Sequence, residues 1–85
     1  MKIRVTTEDI AKGVKGDQWQ CAIALAVKRV ADASYIEVLN HNVWLQNRDP
    51  NGYARNVRYP LPEVAVKFIE RFDAELVVEP FEFEL

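Results

Sequence analysis

Residues 35–59, YIEVLNHNVWLQNRDPNGYARNVRY, decide the fold. Val, Ile, Tyr and Trp are dense here and alternate with polar residues, the pattern of half-buried strands. Asp49-Pro50-Asn51-Gly52 interrupts the alternation with a turn, because proline presets φ and Asn-Gly accepts positive φ. Asn40-His41-Asn42 supplies an earlier turn. The segment therefore reads as three strands, Tyr35–Leu39, His41–Arg48 and Gly52–Tyr59, in an antiparallel meander. Alternation sends Ile36, Val38, Val43, Leu45, Val57 and Tyr59 to one face. Tyr35, Glu37, Leu39, Trp44, Gln46, Asn56 and Arg58 go to the other.

Helical patterns flank the meander. Upstream, Asp17 is placed to cap a helix whose face carries Trp19, Ala22, Ile23, Ala26, Val27 and Val30 at helical spacing, widened by Cys21, Ala24 and Leu25. Downstream, Pro62 suits a first helical position, and Val64, Ala65, Phe68, Ile69 and Phe72 form a buried stripe. Glu63 and Lys67 stand four apart in the favourable order. At the N-terminus, Lys2 to Thr6 alternates as a short strand. A brief helix follows, with Thr6 as cap and Asp9 near its positive end, stopped by Gly13-Val14-Lys15-Gly16. Phe81, Phe83 and Leu85 alternate with acids behind Pro80, a final half-buried strand. The predicted order is β-α-α-β-β-β-α-β over a single domain, residues 1–85. This is an α+β fold with a mostly antiparallel sheet, helices on one face, and the terminal strands beside the meander.

Composition narrows the function classes. The 85 residues are 49% hydrophobic and carry one cysteine, so no intramolecular disulfide forms, and a lone thiol suits a reducing compartment. No apolar run approaches the ~18 residues of a membrane span, and the N-terminus lacks a signal-peptide core, so the expected location is cytoplasmic. Net charge is −2. Asn42 to Tyr59 holds Arg48, Arg55 and Arg58 against Asp49 alone, too thin a basic surface for a nucleic-acid footprint. Asp73 to Leu85 holds five acids and no base.

Reactive chemistry is sparse. Cys21 lies in an apolar helix and reads as an inert buried thiol. His41 reads as an exposed turn residue, and Ser34 follows a helix end. One His and one Cys on different elements do not make a zinc site. Asp49, Asn51 and Gly52 lack the succession of oxygen ligands of a calcium loop. Gly13-Val14-Lys15-Gly16 has neither the spacing nor the Lys-Ser/Thr pair of a phosphate loop. The expectation is a protein with no catalytic residue, cofactor or metal.

Binding surfaces remain. Tyr35, Glu37, Trp44, Gln46, Asn56 and Arg58 on the outer meander face have the aromatic and arginine content of an interface hot spot. Glu79, Glu82 and Glu84 form a second, acidic surface able to meet a basic partner, or simply to solvate and protect an edge strand.

Three segments carry a family resemblance: Val5-Thr6-Thr7-Glu8-Asp9-Ile10-Ala11-Lys12-Gly13, Cys21-Ala22-Ile23-Ala24-Leu25-Ala26, and Glu79-Pro80-Phe81-Glu82-Phe83-Glu84-Leu85. They resemble a family of short proteins encoded mostly in bacteriophage and prophage genomes. A proline often follows the cysteine in that family, and Ala22 stands there in this chain. The resemblance implies a setting and no residue roles: a phage protein that binds and inhibits a host protein, with anti-CRISPR or other anti-defence inhibition the most concrete form. The residues leave two other classes open. One is a small-molecule or nucleotide-sequestering protein using the aromatics with Arg48, Arg55 and Arg58, and the other is a structural homodimer.

Overall fold

A computed structural model describes residues 1–48 and 50–85, Arg48 by its backbone alone. Position Asp49 of the predicted turn and the Arg48 side chain lie outside the described residues. The elements are β1 (Lys2–Val5), α1 (Thr7–Lys12), α2 (Ala22–Val30), β2 (Tyr35–Val38), β3 (Asn42–Arg48), β4 (Ala54–Pro60), α3 (Glu63–Asp73) and β5 (Phe81–Glu84). The order is the one the sequence pattern predicts, and the fold is a small α+β domain.

The strands form two antiparallel sheets, β1-β5 and β2-β3-β4. The terminal strands pair with one another, Ile3 opposite Phe83 and Arg4 opposite Glu82, instead of extending the meander. At the outer edge of β2, the Val38 N–H donates to the Gln18 carbonyl at 2.8 Å, so the 17–20 turn occupies part of that edge. β4 is left as the open edge of the three-stranded sheet. One core joins the two sheets. Ile3, Val5 and Phe83 from the terminal pair meet Ala22, Ile23, Ala26 and Val27 of α2, Ile36, Val38, Val43 and Leu45 of the meander, and Ala65, Phe68 and Ile69 of α3. The alanines of α2 allow the helix to sit against both β1 and β2.

Several boundaries move from their sequence-based positions. Asp17 does not cap α2. Its Oδ1 accepts from the Trp19 and Gln20 N–H groups at 2.8 and 2.9 Å, an Asx-type turn that holds residues 17–20 out of the helix. Cys21 is the N-cap instead, and Trp19, expected on the apolar stripe, is 46% exposed. Pro62 is the N-cap of α3, one position ahead of its expected place, and Val64 is exposed and not part of the buried stripe. Val30 at the end of α2 is exposed as well. In the meander, Ile36, Val38, Val43 and Leu45 are buried as expected, and Tyr59 packs against the core. Val57 is only half-buried. It lies opposite Leu45, which is paired on its other side with Ile36, and so takes the open-edge end of that row.

The N-terminal turn carries an ionic clasp. Thr6 and Asp9 form a reciprocal capping box: the Thr6 N–H donates to Asp9 Oδ2 at 2.8 Å, and the Asp9 N–H donates to Thr6 Oγ1 at 3.2 Å. Asp9 is 3% exposed, and the Arg29 guanidinium forks onto both its oxygens at 2.6 and 2.5 Å. The same guanidinium donates to the Arg4 carbonyl at 2.8 Å. One side chain of α2 thus ties down α1 and β1.

Gly13 closes α1 against the start of α2. A Cβ there would fall 2.6 Å from the Ala22 nitrogen and 2.8 Å from the Asp9 carbonyl oxygen, both backbone atoms that cannot swing aside. Gly13→Ala is expected to destabilise the protein by about 2 kcal/mol through overpacking. In a domain of this size that lowers Tm by roughly 10 °C, which a thermal melt reads directly.

Candidate functional site

The outer meander face is set by strand register. β2 and β3 place Tyr35 opposite Gln46 and Glu37 opposite Trp44, while β3 and β4 place Trp44 opposite Arg58 and Gln46 opposite Asn56. The six residues therefore form two cross-strand rows, Glu37-Trp44-Arg58 and Tyr35-Gln46-Asn56, on one side of the sheet. Tyr35, Asn56 and Arg58 are exposed, and Glu37, Trp44 and Gln46 are half-buried. Trp44 is not among the hydrophobics packed on the core. Gln46 Nε2 donates to Asn56 Oδ1 at 3.2 Å, which orients both amides.

Trp19 joins this face, a contribution the sequence reading missed. Its indole N–H donates to the Tyr35 hydroxyl at 2.8 Å, and Lys28 Nζ donates to the Trp19 carbonyl at 2.8 Å. The Asx turn of Asp17 causes this, by breaking the helical spacing that assigned Trp19 to the core. Large aromatic surface is thus held rigid at the β2 border.

The backbone adds a second feature. The Leu61 N–H donates to the His41 carbonyl at 2.8 Å, in continuation of the β3-β4 register. Antiparallel alternation then turns Val57 and Tyr59 toward β3 and directs the N–H and C=O groups of Ala54, Asn56 and Arg58 to the open edge. That edge carries Arg55 and Arg58 and no acid.

The acidic C-terminal surface is not a bare run of carboxylates. Pairing with β1 sets bases against acids: Glu82 Oε1 accepts from Arg4 Nε at 2.8 Å, Lys2 Nζ lies 3.5 Å from Glu82, and the N-terminal ammonium lies 3.7 Å from Glu84. The hydrogen bond from Arg4 holds the Glu82 carboxyl below the usual range. Glu79 is exposed in the loop before β5. The sequence reading set the terminal strands beside the meander and did not pair them; the alternation of Lys2 and Arg4 with the acids Glu82 and Glu84 is the signal that could have done so.

A cavity of 410 Å³ opens on the inner side of the fold, between the start of α2, the β2-β3 turn and the end of α3. Cys21, His41, Asp17 and Asp73 all line it. The arginines proposed for nucleotide phosphates do not: Arg55 and Arg58 sit on β4, away from the lining. Arg48 bears on that reading only through a side chain outside the described residues. Among the described residues, no group of three or more His, Cys, Asp or Glu is placed to hold a metal ion. No helix among them is long and apolar enough to cross a membrane.

Cys21 is 8% exposed, and its Sγ accepts the Ala24 N–H at 3.4 Å. A helix N-terminus ordinarily favours thiolate. Here burial pushes the thiol up, with Asp73 and Asp17 adding to the shift and the Ala24 and Ile23 amides opposing it. The expected result is slow chemistry: at pH 8, Cys21 in the folded protein reacts with a disulfide reagent at least ~100-fold more slowly than in urea. A colorimetric thiol assay with and without denaturant measures the ratio.

No protein-family model matches the chain, and neither a curated protein nor a solved structure matches it at a significant level.

Proposed function

We propose that this chain is a non-enzymatic binding protein that engages a protein partner through the outer face of its meander. The observation that carries the reading is the assembly of Trp19, Tyr35, Trp44 and Arg58 on one sheet face, beside an open edge strand. Aromatic rings with a neighbouring guanidinium are the side chains that dominate interface energetics, and half-buried Trp44 costs little further entropy to order. The backbone groups of Ala54, Asn56 and Arg58 suit addition of a partner strand, with Arg55 and Arg58 favouring one that bears carboxylates.

The resemblance to short phage proteins supplies the finer form of this reading. The partner is then a host protein that the chain binds and blocks, a defence protein such as a CRISPR effector being the most concrete case. The experiment is capture from bacterial lysate on immobilised wild-type protein and on Trp44→Ala side by side. One protein enriched by the wild type and lost by the variant supports the reading. Equal retention by both removes the contact from this face. Light scattering at two concentrations separates the alternative in which the partner strand belongs to a second copy of the chain.

A further inference from the structure

We propose that the inner cavity is a binding site for a small organic cation with an apolar body, an aryl-alkyl amine being the class that fits. This inference concerns a different surface from the meander face and stands independently of the reading above. The cavity has a volume of 410 Å³, within the range of small-molecule sites. Its lining includes apolar surface from Ile23 of α2 and from Phe68, Ile69 and Phe72 of α3. Its polar lining groups are Asp17, Gln18, Asn40, His41, Asn42 and Asp73. An apolar body and a polar head are therefore both provided for.

The sign of the head group follows from the lining. Two carboxylates border the cavity, and no lysine or arginine does. Both acids are held in place before any ligand arrives. Asp73 Oδ1 accepts the Gly16 N–H at 2.9 Å, and Asp17 Oδ1 accepts the Trp19 and Gln20 N–H groups. Gly16 directly precedes Asp17, so the bond from Gly16 to Asp73 draws the two carboxylate-bearing segments to the same mouth. In each case these bonds occupy one oxygen and leave the second outside them. Fixed carboxylates lining a cavity that carries no lysine or arginine attract an ammonium and repel an anion. Asn40, His41 and Gln18 add acceptors for ammonium N–H groups. A nucleotide or a carboxylic acid does not suit this lining.

Phenethylamine is the probe, with phenethyl alcohol and 3-phenylpropionate as neutral and anionic counterparts of similar shape. Each is titrated into ¹⁵N-labelled wild-type protein and followed by amide chemical shifts. The amine is expected to give saturable shifts at Gly16–Ile23, Val38–Asn42 and Phe68–Asp73. The alcohol binds at least about tenfold more weakly, and the propionate gives no saturable shifts. Asp73→Asn reduces the amine affinity about tenfold, and Asp17→Asn serves the same purpose if the first variant does not fold. The wild-type comparison of the three probes decides the matter without either variant. Absence of saturation by the amine up to about 10 mM overturns the proposal, as does propionate binding as tightly as the amine, or shifts scattered away from the cavity.

Discussion

Asp9→Ala lowers the stability of the protein by about 3 kcal/mol, the largest effect expected of any single polar substitution in it. Three losses combine. The capping box disappears, at about 1 kcal/mol for a cap of this type. The carboxylate that accepts two charge-assisted bonds from Arg29 is gone, and such bonds contribute more than neutral ones. The anchor that holds α1 and β1 against α2 then survives only through the Arg29 bond to the Arg4 carbonyl. Arg29 is itself about half exposed and rehydrates once unpaired, which keeps the loss below that of a fully buried pair. Urea unfolding of the wild type and the variant measures the difference.

The same clasp gives a signed pH dependence. The hydrogen bonds from Arg29 hold the Asp9 carboxyl below its usual value, against the opposing effect of burial, with the Thr6 bonds assisting. A carboxyl lowered in the folded state contributes stability that is fully present above the unfolded value, near 3.8. That contribution is lost as pH falls through the folded value. Glu75 and Glu82 are lowered too, by Lys15 and Arg4, but both are exposed and screened by salt. In high salt, the acid-sensitive part of the stability therefore belongs chiefly to Asp9. Asp9→Asn flattens the wild-type curve on the acid side of the unfolded value, 3.8, where protonation of the folded carboxyl would otherwise remove the contribution of the clasp.

The second large effect concerns binding. Trp44→Ala is expected to weaken partner binding about 30-fold, and Arg58→Glu at least as much, because it reverses a charge on the edge proposed to receive an acidic strand. Neither substitution unfolds the protein. Trp44 is half-buried away from the core, and Arg58 is exposed. Combined loss of binding and unchanged Tm distinguishes an interface role from a structural one, and calorimetry with the captured partner reads both variants.

The fold was largely legible because its elements carry strong periodicities. Alternation between Tyr35 and Tyr59, broken at two turns, marked the meander, and the Thr6 cap and the Ala-rich run of α2 marked the N-terminal half. What escaped were features that depend on competition or on distance in sequence. Asp17 is equally competent as a helix cap or as the head of an Asx turn, and only packing decides; with the turn formed, Trp19 leaves the apolar stripe and reaches Tyr35. The pairing of Asp9 with Arg29 spans twenty residues and two helices, beyond any local pattern. The candidate face was readable because cross-strand neighbours follow from alternation and turn position alone. The inner cavity was not, since it assembles three separated segments whose approach depends on helix packing.

If the outer meander face meets a protein, photo-crosslinking in living bacteria captures that protein in place. A benzophenone amino acid is placed at Asn56, on that face, and separately at Glu70, on the solvent side of α3. The account predicts one discrete crosslinked protein from position 56 that is absent when Trp44→Ala is combined with it, and none from position 70. A specific adduct from position 70 with nothing at position 56 would contradict it.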